Sequence, residues 1–516
     1  MSRRISAILG IVLVASFLLT ACGAPAATPA PAAPAATEAP AAAPAATEAP
    51  KATEAPAPTA APAATEAPAA PAATEAPAAG PEGNLKVWAF AGDSRAIVTA
   101  FQEKYPNVKI DYTMIPMTNG EYQTKVKAAA GTADAPDVVF LEAAFVREWV
   151  ESDLLADQSD LLPLAQELKS YQAGIDVGAN EGVNKAFTFQ STPGAFFYRR
   201  SLAKECLGTD DPEKVQAMVA DLDKFVEVAA KIKACGTGDY YTVGIGGELA
   251  NPFYTNRAQP WIVDDTLVID PKVVDYVRFA KMMRDKGYES GANQWTEGWF
   301  AGFNDTLKDA NGTPKKVFSY FLPTWGLTYV LSPNAKSKDG ANDTTGDWAM
   351  VNGPMPYQWG GTWIGGLDGS KNADLAKEFI KYTTLNEDFL TNWAKGYYVN
   401  AKLKEIDPTV PDDLNQVAGD FVSSQAVVEK IKDSFDKSTL ADFLGGQNSY
   451  GAFAEAAPTV SGKLMTGADD AIQRALNDPL SAYLGGTMTE AEMWAAWLDA
   501  VRNEFPDLAI PEPPVK

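Results

Sequence analysis

Histidine is absent from this 516-residue chain, and its absence excludes several kinds of catalytic site. Ser-His-Asp and Cys-His catalysis need an imidazole, as do histidine-ligated zinc and iron sites. The sequence also lacks a GxxxxGK[ST] phosphate loop, an EF-hand loop and a well-formed dinucleotide fingerprint. We therefore expect no catalytic residues, no metal and no cofactor.

Positive charge is scarce as well. The chain carries 43 lysines and arginines against 66 aspartates and glutamates, for a net charge of −23. Such an acidic chain is a poor match for the phosphates of nucleic acid or for an anionic lipid surface. We expect no nucleic-acid partner, and the acidity itself mainly favours solubility.

Long apolar runs are missing except at the N-terminus. There, two arginines precede an apolar run at residues 8–19, which is too short to span a bilayer comfortably. The tetrapeptide Leu-Thr-Ala-Cys follows and resembles a bacterial lipobox, in which the cysteine is acylated. Residues 1–22 are thus predicted to be a lipoprotein signal peptide, with Cys22 lipidated. The protein is expected to be extracytoplasmic and anchored to the cell membrane by its lipid.

Residues 23–82 contain no aromatic and no branched aliphatic side chain, so they cannot build a core. The hexapeptide Ala-Ala-Thr-Glu-Ala-Pro recurs in this segment. Its prolines favour an extended chain, which could reach about 180 Å at most. We predict a disordered linker that holds a folded body away from the membrane.

Cysteine is rare: only Cys206 and Cys235 follow the predicted lipobox. An exported protein permits a disulfide between them, but their distance in space cannot be read from the sequence. Two buried free thiols are the alternative.

The remaining residues, 83–516, are too many for one compact core, so two lobes are expected. Alternating apolar residues predict strands at 85–90 and 108–114, with a helical pattern after each. The continuous apolar run at 137–141 predicts a strand that is covered on both faces. This order of elements predicts a parallel, doubly wound sheet, in which ligands lie beyond the carboxyl ends of the strands.

Several stretches together resemble the sugar-binding, maltose-binding-protein-like class (family 1) of extracytoplasmic solute-binding proteins of ABC importers. They include the Ala-Pro-Asp-Val-Val-Phe segment at 135–140 and the Gly-Gly-Thr-Trp-Ile-Gly-Gly segment at 360–366. The other segments are residues 85–106, 195–202 and 447–450. The sequence departs from this class at one point. Similar proteins often place an aromatic residue or an acid just after this strand, where the present chain has Leu141-Glu142-Ala143-Ala144. Glu142 could take the place of that residue.

The resemblance implies an α/β, two-lobe periplasmic-binding-protein-like fold with a ligand cleft between the lobes. It implies an N-terminal lobe of residues 83–194 and 368–440. The C-terminal lobe would comprise residues 195–367 and 441–516. Hinges are expected near residues 195–198 and 364–368, where glycines ease a change of backbone angles.

Capture of a sugar needs flat aromatic faces for its CH groups, and carboxylates and amides for its hydroxyls. Asp93 has the alternative role of capping a helix, and Asp137 is expected to be structural. The predicted ligand-binding residues are Trp363, Trp325, Trp359, Glu142, Asp93, Trp261, Trp299, Asn251 and Tyr450.

The expected function is that of a monomeric, lipid-anchored receptor that binds a sugar or oligosaccharide and delivers it to an ABC permease. Its partners would be the carbohydrate, the transmembrane subunits of the permease and the membrane. The alternatives are a receptor for another solute, such as a polyamine, metal chelate or peptide, an exported carbohydrate-active enzyme, and a surface adhesin. An enzyme of this kind would need two carboxylates that flank a glycosidic bond.

Overall fold

A computed structural model describes residues 80–236, 238–412, 414, 420–433 and 439–515. The predicted signal peptide, the predicted lipidation site Cys22 and residues 23–79 of the predicted linker lie outside this range. Within the described part, no helix combines the length and the apolar character needed to cross a membrane.

The described chain is a mixture of strands and helices. The strands are β1 (Gly83–Ala89), β2 (Val108–Met114), β3 (Val138–Glu142), β4 (Ala179–Asn180), β5 (Val183–Asn184), β6 (Ala186–Thr188), β7 (Gly194–Arg199), β8 (Tyr240–Tyr241), β9 (Ile262–Val263), β10 (Thr266–Leu267), β11 (Lys316–Val317), β12 (Ser319–Pro323), β13 (Trp348–Val351) and β14 (Thr362–Gly366).

The α-helices are α1 (Ser94–Lys104), α2 (Glu121–Ala129), α3 (Val146–Val150), α4 (Leu162–Glu167), α5 (Gln172–Val177), α6 (Arg200–Leu207), α7 (Pro212–Met218), α8 (Leu222–Cys235), α9 (Ala250–Thr255), α10 (Pro271–Asp285), α11 (Glu297–Phe303), α12 (Ser332–Asn334), α13 (Ala373–Leu385), α14 (Glu387–Ala394), α15 (Asn400–Ile406), α16 (Gln425–Ile431), α17 (Thr439–Phe443), α18 (Ser449–Ala456), α19 (Asp469–Leu484) and α20 (Glu490–Glu504). Short 3₁₀ turns occupy Thr118–Gly120, Ser159–Leu161, Gly246–Leu249 and Ala457–Thr459, and Gly326–Leu331 forms a π-helical turn.

The first sheet has the strand order β2-β1-β3-β14-β6. Strand β1 runs parallel to both β2 and β3, which confirms the predicted parallel arrangement. The apolar alternation of β1 buries Leu85, Val87 and Ala89, and helix α1 packs Phe101 into the same core. Strand β3 is buried on both faces, as its uninterrupted apolar sequence predicted.

The second sheet has the order β12-β7-β13, with β7 antiparallel to both neighbours. All six residues of β7 are buried. Gly194 begins this strand against the ring of Tyr357, where a Cβ atom would lie 1.9 Å from the ring carbon Cζ. A larger residue at this position would therefore collide with the aromatic core.

The two predicted hinges stay predictions. Residues 195–198 lie in the buried strand β7, and residues 364–366 pair in β14 with strands on both sides. Neither of these paired stretches links the two sheets. The two sheets are instead joined by residues 189–193 and 352–361, which run side by side: Thr192 Oγ1 donates to the Gly360 carbonyl at 2.8 Å.

Strand β14 also corrects the predicted second lobe boundary. It pairs antiparallel with β3, residue Thr362 opposite Glu142, and therefore belongs to the first sheet. The second crossing thus precedes Thr362 rather than following residue 367. The other predicted lobe boundaries stay predictions.

Asp137 has the structural role that was expected. Its carboxylate accepts hydrogen bonds from the Lys86 backbone N–H at 2.8 Å and from the Ser370 hydroxyl at 2.6 Å. The Asn372 amide also donates to it, at 3.2 Å. The carboxylate thereby ties the start of β3 to β1 and to the loop before α13, which begins at Ala373.

Cys206 and Cys235 are joined by a disulfide, with a Cα–Cα distance of 5.4 Å. The bridge links α6 to the last residue of α8, two helices that pack beside the second sheet. It closes a loop with a sequence separation of 29 residues.

Replacing both cysteines, Cys206→Ser with Cys235→Ser, is expected to lower the free energy of unfolding by about 3 kcal/mol, because the unfolded chain loses the closed loop. Urea unfolding of the oxidised wild type and of the double variant measures the difference. Equal unfolding midpoints at equal slopes would contradict this prediction.

Candidate functional site

A cavity of about 360 Å³ opens between the two sheets, beyond the carboxyl ends of β1 and β3. We call it the aromatic compartment. The lobe built on the first sheet, called the first lobe, contributes Phe90 and Asp93 after β1, and Glu142 at the end of β3. The lobe built on the second sheet is called the second lobe. The second lobe contributes Trp325, which follows β12, and Tyr329 from the π-helical turn. The cavity therefore has walls from both lobes, at the edge where parallel sheets place their ligands.

Three indoles form a cluster on the second-lobe side of this cavity. Trp325 and Trp359 meet edge to face, with ring centroids 5.3 Å apart, and Trp325 Nε1 donates to the Trp359 carbonyl at 3.0 Å. Trp295 stacks on Trp325 with an interplanar angle of 11°. The indole N–H of Trp325 is thus satisfied by protein, which leaves its ring for apolar contact.

Trp295 is a residue that the sequence analysis missed. It is 54% exposed and has a left-handed backbone with φ of 66°, which is rare and costly for a bulky side chain. It precedes Thr296, the N-cap of α11. The indole lies in a loop with no apolar periodicity, so only the folded loop reveals its position beside the cavity.

Glu142 separates this cavity from a second one. Its side chain accepts a hydrogen bond from the Ala144 backbone N–H at 2.7 Å. Burial in the cleft, with the Asp470 carboxylate nearby, raises the pKa of Glu142 to about 7. Near neutral pH the carboxyl can therefore donate to a ligand hydroxyl when protonated, or accept from one when ionised.

Asp93 has the alternative role that was predicted for it, and its contact with a ligand stays a prediction. It caps α1 by accepting from the Ser94 backbone N–H at 3.0 Å, and it also lines the aromatic compartment. Burial raises the pKa of Asp93.

The carboxylate of Asp420 accepts a hydrogen bond from Trp393 Nε1 at 2.7 Å. Its pKa is raised to about 7 by burial and by the charge of Asp93.

The second cavity, of about 250 Å³, lies on the other side of Glu142, and we call it the polar compartment. Trp359 forms one wall. The predicted ligand residue Asn251, on α9, lies in this cavity together with Gln358 and Gln473. The two compartments meet at Glu142 and at the glycine pair 360–361. A Cβ atom on Gly360 would lie 2.8 Å from Trp325 Nε1, so this close approach requires glycine.

The structure therefore gathers five of the nine predicted residues around the cleft. These are Trp325, Trp359, Glu142, Asp93 and Asn251. Their contact with a ligand stays a prediction.

The other four predicted residues lie in the core, and their assignment to the cleft is wrong. Trp363 is 1% exposed and its Nε1 donates to the Gly174 carbonyl at 2.8 Å. Trp261 is buried between Trp497 and the Arg257 guanidinium. In each case the polar atom or the ring is occupied by protein.

Trp299 and Tyr450 are buried in the same way. The indole N–H of Trp299 donates to Glu248 Oε1 at 2.7 Å, beneath the exposed ring of Trp295. The hydroxyl of Tyr450 donates to the backbone carbonyl of Asp420. Both side chains are fully buried and line neither cavity.

Trp363→Ala is expected to lower the free energy of unfolding by about 3–5 kcal/mol, because it opens a cavity in the core and removes the indole hydrogen bond to the Gly174 carbonyl. Urea unfolding measures it. Val399→Ala, at a position 45% exposed, is the control and should change little. Trp363→Phe should remain folded with its ligand affinity unchanged. If the Trp363→Phe protein folds but loses ligand binding, Trp363 belongs to the binding site.

Burial raises the pKa of Glu248 to about 8, although the Trp299 indole opposes this shift. The folded state therefore holds a proton that the unfolded chain has released, from about pH 4.5 upward. Stability contributed by this protonated carboxyl is lost as the pH rises through about 8. The expected loss is about 2–4 kcal/mol between pH 5 and pH 8.

Glu248→Gln keeps the acceptor for Trp299 and removes the charge, so its stability should vary less over this pH range than that of the wild type. Urea unfolding at pH 5 and pH 8 checks this, with the exposed Glu504→Gln as the control. A Glu248→Gln protein with the wild-type pH dependence would show that Glu248 does not titrate in this window.

Residues 96–413 match the family model of bacterial extracellular solute-binding proteins. No curated protein matches the sequence. One solved structure, described as an extracellular solute-binding protein of family 1, has a TM-score of 0.63 at 16% identity and covers 83% of this chain and all of its own.

Two further solved structures share the fold. An ABC-transporter-associated binding protein from B. animalis subsp. lactis Bl-04, in complex with beta-1,6-galactobiose, has a TM-score of 0.59 at 20% identity, covering 84% of this chain and 100% of its own. The sugar-binding protein MalE from Xanthomonas citri has a TM-score of 0.59 at 16% identity, with coverages of 82% and 96%. At these identities the likeness shows the two-lobe fold. The family model, which matches more than half of the chain, places the protein among the bacterial extracellular solute-binding proteins.

Proposed function

We propose that this protein is the saccharide receptor of an ABC importer, binding a sugar or oligosaccharide in the cleft and passing it to a membrane permease. The observation that carries the proposal is the juxtaposition of Trp325 from the second lobe with Asp93 and Glu142 from the first, around one cavity. Sugars combine apolar CH faces with hydroxyl rims, so an indole beside carboxylates suits them.

The relatives support this reading of the cleft. The B. animalis protein was solved with beta-1,6-galactobiose, and a receptor from Streptomyces glaucescens, similar at 20% identity with a TM-score of 0.55, was solved with acarbose. Both are binding proteins, and they share with this chain the arrangement of two lobes around a cleft.

The mechanism follows from where the binding groups lie. Asp93 and Glu142 belong to the first lobe and Trp325 to the second, and the chain passes between the lobes at residues 189–193 and 352–361. A ligand that contacts both walls favours the closed arrangement, because only that arrangement supplies both sets of contacts. The permease would then recognise the closed form. The predicted lipid on Cys22 would keep the receptor at the membrane surface, where the permease lies.

A second candidate is a receptor for a cationic solute such as a polyamine. Two carboxylates line the aromatic compartment, and none of its described lining residues is a lysine or an arginine. A cation would bind more tightly from pH 5 to pH 8, as Glu142 ionises, whereas a neutral sugar has no such charge to be matched.

Trp325→Ala should weaken saccharide binding about tenfold to thirtyfold, because it removes a flat apolar face at the centre of the cleft. A thermal-shift screen of the wild type against saccharides and polyamines finds the ligand, and calorimetry measures the affinities. Tyr397→Ala, which removes an exposed ring on helix-flanking surface away from both cavities, is the matched control.

If the wild type binds polyamines and no saccharide, the receptor for a cationic solute replaces the saccharide receptor as the proposed function. Release of shortened sugars during incubation with labelled oligosaccharides would identify an enzyme instead of a receptor.

A further inference from the structure

The polar compartment contains side-chain amides with no partner in the protein. Asn251, Gln358 and Gln473 line the cavity, and within the described residues none of their side-chain amides makes a hydrogen bond. They come from α9, from the second connection between the lobes and from α19. Three amides from separate parts of the chain thus face one cavity with their donors and acceptors free.

A buried guanidinium forms part of the cavity wall. The side chain of Arg257 is only 3% exposed and also lines this cavity. Its Nε donates to the Tyr254 carbonyl at 3.0 Å and its Nη2 to Asp469 at 3.2 Å, but Nη1 has no partner in the described chain. Because Nη1 has almost no accessible surface, Arg257 gives the cavity a wall and a charge rather than a donor that a ligand can reach.

The charges around the cavity favour a neutral ligand. The positive charge of Arg257 is already matched by Asp469, and Asp470 and Glu142 add further negative charge to the lining. An anionic group would be repelled by these carboxylates. Hydroxyl groups can instead exchange hydrogen bonds with the amides without introducing charge.

Each compartment also has one indole of its own. Trp325 lines the aromatic compartment and Trp359 lines the polar one, and the two ring planes are inclined by 70° to each other. Glu142 lines both cavities and stands between them. A ligand of two linked rings could therefore set one ring in each compartment, with Glu142 within reach of the hydroxyls near the linkage.

We propose that the polar compartment is a second sugar subsite, so that the ligand is an uncharged oligosaccharide of at least two rings. This inference rests on the proposed saccharide receptor and extends it. A monosaccharide would fill the aromatic compartment alone and leave the amides of the polar compartment without a ligand partner. The gain from the second ring would come from contacts with Trp359, Asn251 and Gln473.

Gln473→Ala tests the subsite, with Asn477→Ala one turn further along α19 as the matched control. Gln473 lines the cavity, whereas Asn477 is exposed and does not. Calorimetry uses glucose and galactose against maltose, maltotriose, lactose and beta-1,6-galactobiose. We expect a disaccharide or trisaccharide to bind at least tenfold more tightly than its monosaccharide. Gln473→Ala should lose about fivefold to tenfold of the affinity for the longer sugar, while any binding of the monosaccharide is unchanged.

The subsite would be overturned, with the receptor function intact, by a monosaccharide that binds as tightly as the longer sugars. The subsite would also be overturned if the Gln473→Ala protein binds oligosaccharides as tightly as the wild type does. The same holds if the substitution weakens the binding of monosaccharides and of longer sugars equally. Failure of the wild type to bind any saccharide would contradict the proposed function itself. Equal melting temperatures of wild type, Gln473→Ala and Asn477→Ala exclude misfolding as the cause of a loss.

Discussion

The pairing register between β14 and β3 decides what the cleft contains. Thr362 lies opposite Glu142, and Trp363 lies opposite Leu141. Because side chains alternate along a strand, Thr362 and Glu142 face the cavity while Trp363 and Leu141 face the core. A shift of β14 by one residue would exchange its two faces and turn the Trp363 indole toward the cavity in place of Thr362. The Ala143 N–H bond to the Gly361 carbonyl, at 3.0 Å, extends the ladder up to the cleft.

The same ladder positions the connection between the lobes. Gly360 and Gly361 immediately precede β14, both with positive φ, and they bring Trp359 to the junction of the two compartments. The backbone there passes against Trp325, where a Cβ atom could not be accommodated. Since β14 belongs to the first sheet, this connection ends at the floor of the cleft. A movement of the lobes is therefore bound to change the distance between the indoles and the acids.

The acids in and near the cleft share a second property, a raised pKa. Asp93 and Glu142, beyond the ends of β1 and β3, and the buried Asp420 all have raised pKa values, because burial disfavours their charged forms. In the polar compartment burial also raises the pKa of Asp469, and Arg257 matches its charge. One compartment therefore combines rings with acids, and the other combines one ring with amides, an ion pair and the carboxyl groups of Glu142 and Asp470. Because the two compartments differ in this way, the cleft suits a ligand whose two ends differ in their polar groups.

The sequence by itself determined the fold class, the parallel strands β1, β2 and β3, and the acids at their carboxyl ends, because apolar periodicity and strand order are local properties. It also singled out Asp93, Glu142, Trp325, Trp359 and Asn251, which line the cleft. Only the tertiary structure decided which indoles are buried. Trp363 and Trp299 use their N–H groups inside the core, whereas Trp295 is exposed by a left-handed backbone. Burial depends on register and on contacts between distant segments, and neither is encoded in the residues next to a tryptophan.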